Sequence, residues 1–318
     1  MSGSPHIIAG ELSTLAGRGI KRAAVAVGVF DGVHAGHRKI VRSLVEMAGN
    51  ESTPVVLSFH PHPKSVVAPD HAPPLLVSPE RRVQLLKESG AKEVVILPFS
   101  QALAGLSPNA FLNCVFDNDT PEITGICVGE KWRFGSGAAG DQKTLAAFAA
   151  TRGIQFRPVE EMMYEGEVIS SSRIRNLICS GQLAAAEQLL GHAPELSGTV
   201  VHGLNLAGTD LEHPTANLMV EYGVLPPDGV YAARVKFGGE CFCGALNIGI
   251  TPTVRYLGVK DRRIEVHLLN YSGDLYHKNI IVELKQFIRE ERCFGSLAEL
   301  KRQIAYDIKA IKSVLGVE

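Results

Sequence analysis

The stretch 24–37, AVAVGVFDGVHAGH, decides the fold of the first half of the chain. Its opening residues are small and apolar, as is typical of a buried parallel strand, and Gly28 ends that strand. Residues 38–47 then repeat apolar side chains at helical spacing. The stretch therefore predicts a strand, a sharp turn and a helix, with His34 and His37 at the mouth of that helix.

The mouth of such a helix is a place where proteins hold anions. Free backbone N–H groups and the positive end of the helix dipole point outward there. Gly36 lets a phosphate approach the backbone closely. The imidazoles of His34 and His37 can donate hydrogen bonds to the α-phosphate of a nucleoside triphosphate as charge builds during displacement. The pattern therefore predicts nucleotidyl transfer, and the alternative is a pair of surface histidines beside a turn.

The overall composition excludes several classes of protein. The chain has 318 residues, enough for two domains, and 45% of them are hydrophobic. A formal net charge of −1 argues against a nucleic-acid partner held by a basic surface. No apolar run is long enough to predict a membrane span, and the start of the chain does not have the pattern of a secretory signal. Six dispersed cysteines predict a reduced, cytoplasmic protein.

Further apolar segments alternate with helical ones through the first half of the chain. They lie at 54–59, 92–98, 123–128 and 154–159. This alternation predicts a mostly parallel, doubly wound sheet. Polar clusters follow these strands, and the carboxyl ends of parallel strands share one edge of the sheet, so we expect the clusters to converge on one site.

The segment FHPHP, at 59–63, follows the second predicted strand. Its two prolines predict an extended loop at the end of that strand. His60 and His62 could bind zinc, but the sequence offers no third ligand at metal spacing. We therefore favour a role in lining a pocket shared with His34.

A second candidate nucleotide contact is ISSSRIR, at 169–175, which opens a predicted helix. Its three hydroxyl groups and two guanidinium groups suit a triphosphate, because both kinds of group donate hydrogen bonds to phosphate oxygens. The alternative is an ordinary serine cap followed by surface arginines.

The second half of the chain has a different texture. After a predicted linker at 192–196, the strands are short and the turns frequent, with Gly238-Gly239 as a hairpin turn. Strand pairs without intervening helices predict an antiparallel barrel. A capping box of Ser296 and Glu299 begins one amphipathic helix, which we expect to pack on the outside of the barrel.

Few polar residues break the apolar pattern of the barrel. The hydroxyl of Thr215 and the amide of Asn217 suit magnesium or phosphate. Glu265 stands in the middle of a strand and could take a proton from a substrate hydroxyl. A simple Pro-Thr turn and a solvent-facing glutamate are the alternatives, and the residues alone favour these alternatives.

Taken together, these blocks resemble the bacterial bifunctional riboflavin kinase/FMN adenylyltransferase family in order and spacing. The similar segments are GVFDGVHAGH at 28–37, FHPHP at 59–63, WRFG at 132–135, ISSSRIR at 169–175, PTAN at 214–217, NIGITPT at 247–253 and EVHLLNYSGDLY at 265–276. The resemblance implies an α/β fold: an N-terminal Rossmann-like parallel-sheet nucleotidyltransferase domain, residues 1–191, followed by an antiparallel β-barrel riboflavin kinase domain with a C-terminal helix, residues 192–318.

The resemblance further implies that the chain uses ATP and Mg²⁺ to phosphorylate riboflavin to FMN and to adenylylate FMN to FAD, with small molecules as its partners. The implied roles are catalysis for Glu265, His34 and His37; ATP binding for Gly28, Phe30, Asp31, Gly36, Ser170, Ser171, Ser172, Arg173 and Arg175; flavin binding for Phe59, His62, Pro63, Lys131 and Trp132; and metal binding for Thr215 and Asn217.

Some positions depart from the usual pattern of that family. Lys131 stands where an Asp or Asn is usual, and His60 stands where an acid is usual. The segment 208–213, GTDLEH, replaces Gly-Arg-x-Leu-Gly-Phe, so an arginine is lost and two acids are gained near the expected phosphate site. Like charge there opposes ATP binding. One alternative is therefore an FMN adenylyltransferase whose barrel binds flavin without catalysing its phosphorylation.

Another alternative is a different H-x-G-H enzyme, such as a fragment of a class I aminoacyl-tRNA synthetase. A synthetase is disfavoured because the chain has no lysine-rich second motif and no basic surface for tRNA.

Overall fold

A computed structural model of the chain describes residues 14–116, 121–201, 216–250, 262–271 and 273–317. The chain divides into two compact units, Met1–Pro73 with Pro79–Ser170, and Pro74–Ser78 with Ser171–Glu318. The second unit thus includes the residues from 171 to 190 as well as the barrel. The boundary between two independently folding domains, placed between residues 191 and 192, stays a prediction.

The first unit is built on five parallel strands. These are β1 Arg22–Val27, β2 Thr53–His60, β3 Glu93–Pro98, β4 Glu122–Gly129 and β5 Gln155–Val159. Its helices are α1 Ala35–Ala48, α2 Pro63–Val67, α3 Pro79–Glu88, α4 Gln101–Ala104, α5 Pro108–Phe116 and α6 Gln142–Thr151. A short antiparallel pair, β6 Met163–Tyr164 and β7 Glu167–Val168, follows.

The strand order β3-β2-β1-β4-β5 confirms the predicted parallel sheet. The central strand β1 is buried from Ala23 to Val27, which explains its run of small apolar residues. The chain runs outward from β1 to β3 on one side and then crosses to β4 on the other. The turn after β1 therefore lies at the point where the strand order reverses, which is where open α/β sheets bind ligands.

Two local predictions in this unit were wrong. Helix α1 begins at Ala35 instead of residue 38, because the Nδ1 atom of His34 caps it by accepting a hydrogen bond from the N–H of His37 at 3.4 Å. Pro63 begins the short helix α2 and not an extended loop. His62 caps that helix through its Nδ1, 3.1 Å from the N–H of Lys64, and proline is compatible with a first helical position.

The second unit contains two helices, a barrel and a C-terminal helix. The elements are α7 Ser171–Cys179, α8 Leu183–Leu190, β8 Glu195–Val201, β9 Ala216–Tyr222, β10 Gly229–Phe237, β11 Glu240–Ile250, β12 Arg262–Leu268, β13 Asn279–Arg289 and α9 Leu297–Leu315. The six strands close in the order β10-β11-β12-β9-β8-β13, and each neighbouring pair is antiparallel. This confirms the predicted antiparallel barrel.

The details of the barrel follow the sequence closely. Gly238 and Gly239 join β10 to β11 with φ angles of 59° and 84°, which only glycine adopts freely. The predicted linker 192–196 was too long, since its last two residues already belong to β8. Helix α9 begins after Ser296 and packs against the barrel, as predicted, with Ile311 in the shared core.

Across the described residues, no helix has both the length and the apolar character that crossing a membrane requires.

Candidate active sites

The turn after β1 is buried and conformationally strained. Asp31 and His34 are almost fully buried. Phe30 and Val33 have φ angles of 53° and 42°, in the left-handed region that β-branched residues rarely enter. The N–H of Val33 donates to the carbonyl of Phe30 at 3.1 Å and closes the turn. Strain of this kind persists where the surrounding structure holds it, often at functional sites.

Two histidine side chains meet at this turn. The rings of His34 and His37 stack with their centroids 3.6 Å apart, and Phe30 meets His37 edge to face at 5.2 Å. Because Nδ1 of His34 accepts this hydrogen bond, Nε2 is the ring nitrogen of His34 that is left to donate. A Cβ at Gly36 would come within 3.2 Å of the His34 ring, so a side chain there would press on it.

Burial keeps His37 neutral. It lowers the pKa of His37 well below its usual value, and the neighbouring His34 and Arg82 act in the same direction. The buried Nδ1 atom of His37 has no hydrogen-bond partner among the described residues. At neutral pH this side chain can therefore act as a donor or acceptor of hydrogen bonds, but not as a cation.

Arg82 is a functional candidate that the sequence analysis missed. It is 1% exposed, and its Nη1 donates to the carbonyl of Val29 at 2.8 Å. The hydroxyl of Ser58 donates to the same carbonyl at 2.8 Å. Burial lowers the pKa of His60, and the charge of Arg82 lowers it further. A signal was available, because Arg82 shares a face of α3 with buried Leu85 and Leu86.

Aromatic side chains cluster beside the ends of the parallel strands. The rings of Trp132 and Phe134 stack at 4.7 Å, Phe111 contacts both, and Phe59 contacts Phe111. The structure thus brings together two of the predicted flavin-binding residues, Phe59 and Trp132. Lys131 is not part of this aromatic cluster. It is exposed and forms an ion pair with Glu161, which raises the pKa of Lys131.

The predicted second nucleotide loop is divided between the two units. Within the first unit, the carbonyl of Ile169 lies beside Gly36, 3.7 Å from where a Cβ at Gly36 would stand. Ser171 opens helix α7 of the second unit. There the Nε of Arg175 donates to the carbonyl of Pro74 at 2.8 Å, so part of this guanidinium is used within the unit.

The barrel presents a row of polar side chains. On β12, Glu265 is paired directly with Asn217 of β9 on one side and with Asn247 of β11 on the other. Its strand neighbours Ile264 and Val266 are buried. Because side chains alternate along a strand, Glu265 faces outward from the barrel core.

Arg263 joins the members of this row. Its Nε donates to Oδ1 of Asn217 at 2.9 Å, and its Nη2 lies 2.8 Å from Oε1 of Glu265. The sequence analysis did not consider Arg263. Its spacing of two from Glu265 was the available signal, since the two side chains then share a face of the strand.

A cavity of about 340 Å³ lies between this face of the barrel and helix α9. Its lining combines apolar and polar side chains. The apolar ones are Val230, Ala245, Phe294, Leu300, Ile304 and Ile308, and the polar ones are Asn247, Arg263, Glu265, His267, Arg289, Glu291, Arg292 and Asp307. Asp307 holds Arg289 through both carboxylate oxygens at 2.8–3.0 Å and so ties α9 to the end of β13. Thr215, the loop 208–213 and residues 251–253 lie outside the described residues.

Both units match known families. A family model described as FAD synthetase matches residues 18–173, and one described as riboflavin kinase matches residues 190–315. One unit has a parallel sheet with a histidine turn, and the other has a barrel with a carboxylate beside a cavity. With the two family matches, these features define a transferase with two catalytic parts. The chain belongs to the bifunctional riboflavin kinase/FMN adenylyltransferase family.

Curated proteins with that family name are similar to the chain over nearly its whole length. The one from Escherichia coli (strain K12) is 36% identical over 295 residues, covering 92% of this chain and 93% of the relative. The one from Bacillus subtilis (strain 168) is 32% identical, covering 90% of each. A solved structure described as a macrolide-efflux protein from Streptococcus pneumoniae is 28% identical, with a TM-score of 0.78 over 92% of this chain and 94% of that chain.

Proposed function

We propose that the chain makes FAD from riboflavin in two reactions. The barrel transfers the γ-phosphate of ATP to riboflavin and gives FMN. The first unit then joins the phosphate of FMN to the α-phosphate of ATP, and pyrophosphate leaves. The similarity over 92% of the chain to proteins named for both reactions carries this proposal. Small-molecule substrates, the need for ATP and six free cysteines favour a cytoplasmic location.

Glu265 is the group we assign to proton removal in the kinase reaction. It lines the cavity beside α9, whose apolar side suits the flat ring of a flavin. With the ring held there, the carboxylate takes the proton of a ribityl hydroxyl as its oxygen attacks the γ-phosphorus. Asn247, paired with Glu265 across the strands, is placed to orient either the carboxylate or the substrate.

The oxygens of this site fit magnesium. Among the described residues no group of three His, Cys, Asp or Glu side chains could hold a metal ion. Magnesium usually takes one or two protein oxygens together with substrate phosphates, and Asn217 offers an amide oxygen on the strand paired with that of Glu265. We assign Thr215 and Asn217 to this role and keep Glu265 as the base. The bound ion would neutralise charge on the transferring phosphate.

The histidine turn is the site we assign to adenylyl transfer. The Nε2–H of His34 donates to the oxygens of the α-phosphate, and neutral His37 supports it from the stacked ring. Helix α1 presents free N–H groups to the same phosphate. Phe59 and Trp132 hold the flavin ring of FMN, and Ser170–Arg175 is a second contact to the nucleotide. Gly28, Phe30 and Asp31 shape the turn.

One assay tests the two-reaction proposal. The protein is incubated with riboflavin, ATP and magnesium, and FMN and FAD are separated. We expect both products. FAD formed from supplied FMN, without any FMN formed from riboflavin, would instead identify a barrel that binds flavin without phosphorylating it. If neither product forms, the proposal is wrong.

A further inference from the structure

Arg263 has no role in the two reactions as assigned above, yet its guanidinium contacts both Asn217, which is assigned to magnesium, and Glu265, which is assigned as the base. One nitrogen donates to the amide oxygen of Asn217 at 2.9 Å, and another lies 2.8 Å from a carboxylate oxygen of Glu265. The cation thus occupies the two oxygens that the kinase needs. The inference drawn from this contact rests on the proposed function.

The neighbouring arginine shows that this contact is specific to one face of the strand. Arg262 points away from the row and pairs with Asp228, whose Oδ1 lies 2.5 Å from its Nη2. It also donates to the carbonyl of Pro226 at 2.6 Å. The two adjacent arginines therefore bind different partners. Arg263 lines the cavity, whereas Arg262 does not.

The contact is of a kind that can be exchanged. The side chains of Arg263 and Glu265 keep 30% and 20% of their exposure, so water and salt weaken their attraction. A guanidinium binds phosphate oxygens with the same forked geometry that it uses for carboxylates. A phosphate group that arrives in the cavity can therefore compete for it.

We propose that Arg263 is an exchangeable counter-ion of the kinase site. It holds Asn217 and Glu265 while the site is empty. When ATP arrives with magnesium, Arg263 moves to a phosphate oxygen, which frees the amide oxygen of Asn217 for the metal and the carboxylate of Glu265 for the ribityl hydroxyl. Each cation then keeps an anion beside it. As a consequence, a divalent cation alone binds poorly, and nucleotide and cation strengthen each other's binding.

Metal binding measured without any reaction tests this proposal. Mn²⁺, a paramagnetic substitute for magnesium, is titrated into the full-length protein without nucleotide, and free Mn²⁺ is followed by electron paramagnetic resonance. We expect Arg263→Gln to bind Mn²⁺ about two- to fivefold more tightly than the parent protein, as loss of a competing ion pair implies. Arg262→Gln is the matched control and should leave Mn²⁺ affinity unchanged.

Two further measurements assign the gain to this site. The double variant with Arg263→Gln and Glu265→Gln should lose the tighter binding, because the gain depends on the carboxylate. ADP should strengthen Mn²⁺ binding in the parent protein, and by about two- to fivefold less in Arg263→Gln, because part of the coupling came from the displaced guanidinium. Arg263→Lys keeps the charge and should bind bare Mn²⁺ as the parent does.

An unchanged Mn²⁺ affinity in Arg263→Gln would overturn the counter-ion role, as would an equal gain in Arg262→Gln. If Arg263→Gln did not fold, an Arg263→Lys variant that bound bare Mn²⁺ much more tightly than the parent would also overturn it. Failure of the proposed function has a different signature, which is the absence of FMN formation in the parent protein or its persistence in Glu265→Gln.

Discussion

The turn after β1 holds two stacked imidazoles, whereas the wall of the barrel holds a carboxylate paired with a guanidinium. In the turn, burial lowers the pKa of His37 and leaves it neutral. On the barrel, Glu265 and Arg263 are both partly exposed and charged. Each region is proposed to bind the triphosphate of ATP, but the two regions differ in the electrostatic environment that they offer before ATP binds.

The difference is whether the groups that stabilise the phosphate are arranged by folding or only when the nucleotide binds. The histidine turn is arranged by folding itself, through the cap at His34, the strained Phe30 and the buried Arg82. Its donors need no charge change when phosphate arrives. The barrel site instead contains an ion pair, Arg263–Glu265, whose members must exchange partners when the nucleotide binds. We therefore expect the turn to be sensitive to shape and the barrel to be sensitive to charge.

The largest effect should come from removing the charge on the barrel. Glu265→Gln keeps the shape of the side chain but cannot accept the hydroxyl proton, so FMN formation from riboflavin should fall by ~10²–10⁴-fold. FAD formation from supplied FMN is the internal control and should be unchanged. Rapid FMN formation by the variant would contradict the assignment of the base.

The next largest effect should come from the turn. His34→Ala or His37→Ala removes a donor or the ring stacked on it, and FAD formation from FMN should fall by ~10²–10³-fold. Riboflavin phosphorylation should continue. His71→Ala, an exposed histidine of the same unit, is the control. If both site variants made FAD at the normal rate, the turn would be only structural.

The elements of both units were predictable because periodicity records burial. Buried β1 has its run of small apolar residues, and Glu265 is a polar member of the alternating pattern of β12, which the barrel confirms. The histidine turn was also predictable, since a strand, glycines and a helix surround it. Helix bounds were less accurate, because a histidine is an uncommon cap and His34 extends α1 by three residues beyond the apolar pattern.

What the sequence analysis missed depends on contacts between distant segments. Arg82 acts on Val29, 53 residues away in the chain, and Arg263 acts on Asn217, 46 residues away. Neither pairing follows from local spacing. The grouping of residues 74–78 with the barrel unit has the same origin, since the N–H of Gly223 donates to the carbonyl of Leu75 at 3.0 Å.

A smaller effect is expected in the loop before Asn217, which lies outside the described residues. Its acids at 210 and 212 oppose a triphosphate through like charge, and salt screens repulsion of this kind. Glu212→Gly should lower the ATP concentration needed for half-maximal FMN formation by about two- to fivefold at low salt. The difference should shrink as salt is added, and a salt-independent difference would point to loop conformation instead.

The smallest effect concerns the stability of the first unit. The pKa of His37 lies well below 6.5 in the folded protein and near that value in the unfolded chain. Below about pH 6.5 the unfolded chain therefore binds a proton that the folded one does not, and acid favours unfolding until the folded pKa is reached. Stability should accordingly fall between pH 7 and pH 5.

Trp132 is the only tryptophan and lies in this unit, so its fluorescence in urea reports on that unit. His37→Gln should reduce the loss of stability on acidification, whereas the exposed-site control His71→Gln should not. An equal loss in all three proteins would show that His37 is protonated equally in both states, and the turn would then lack the neutral imidazole that distinguishes it from the barrel.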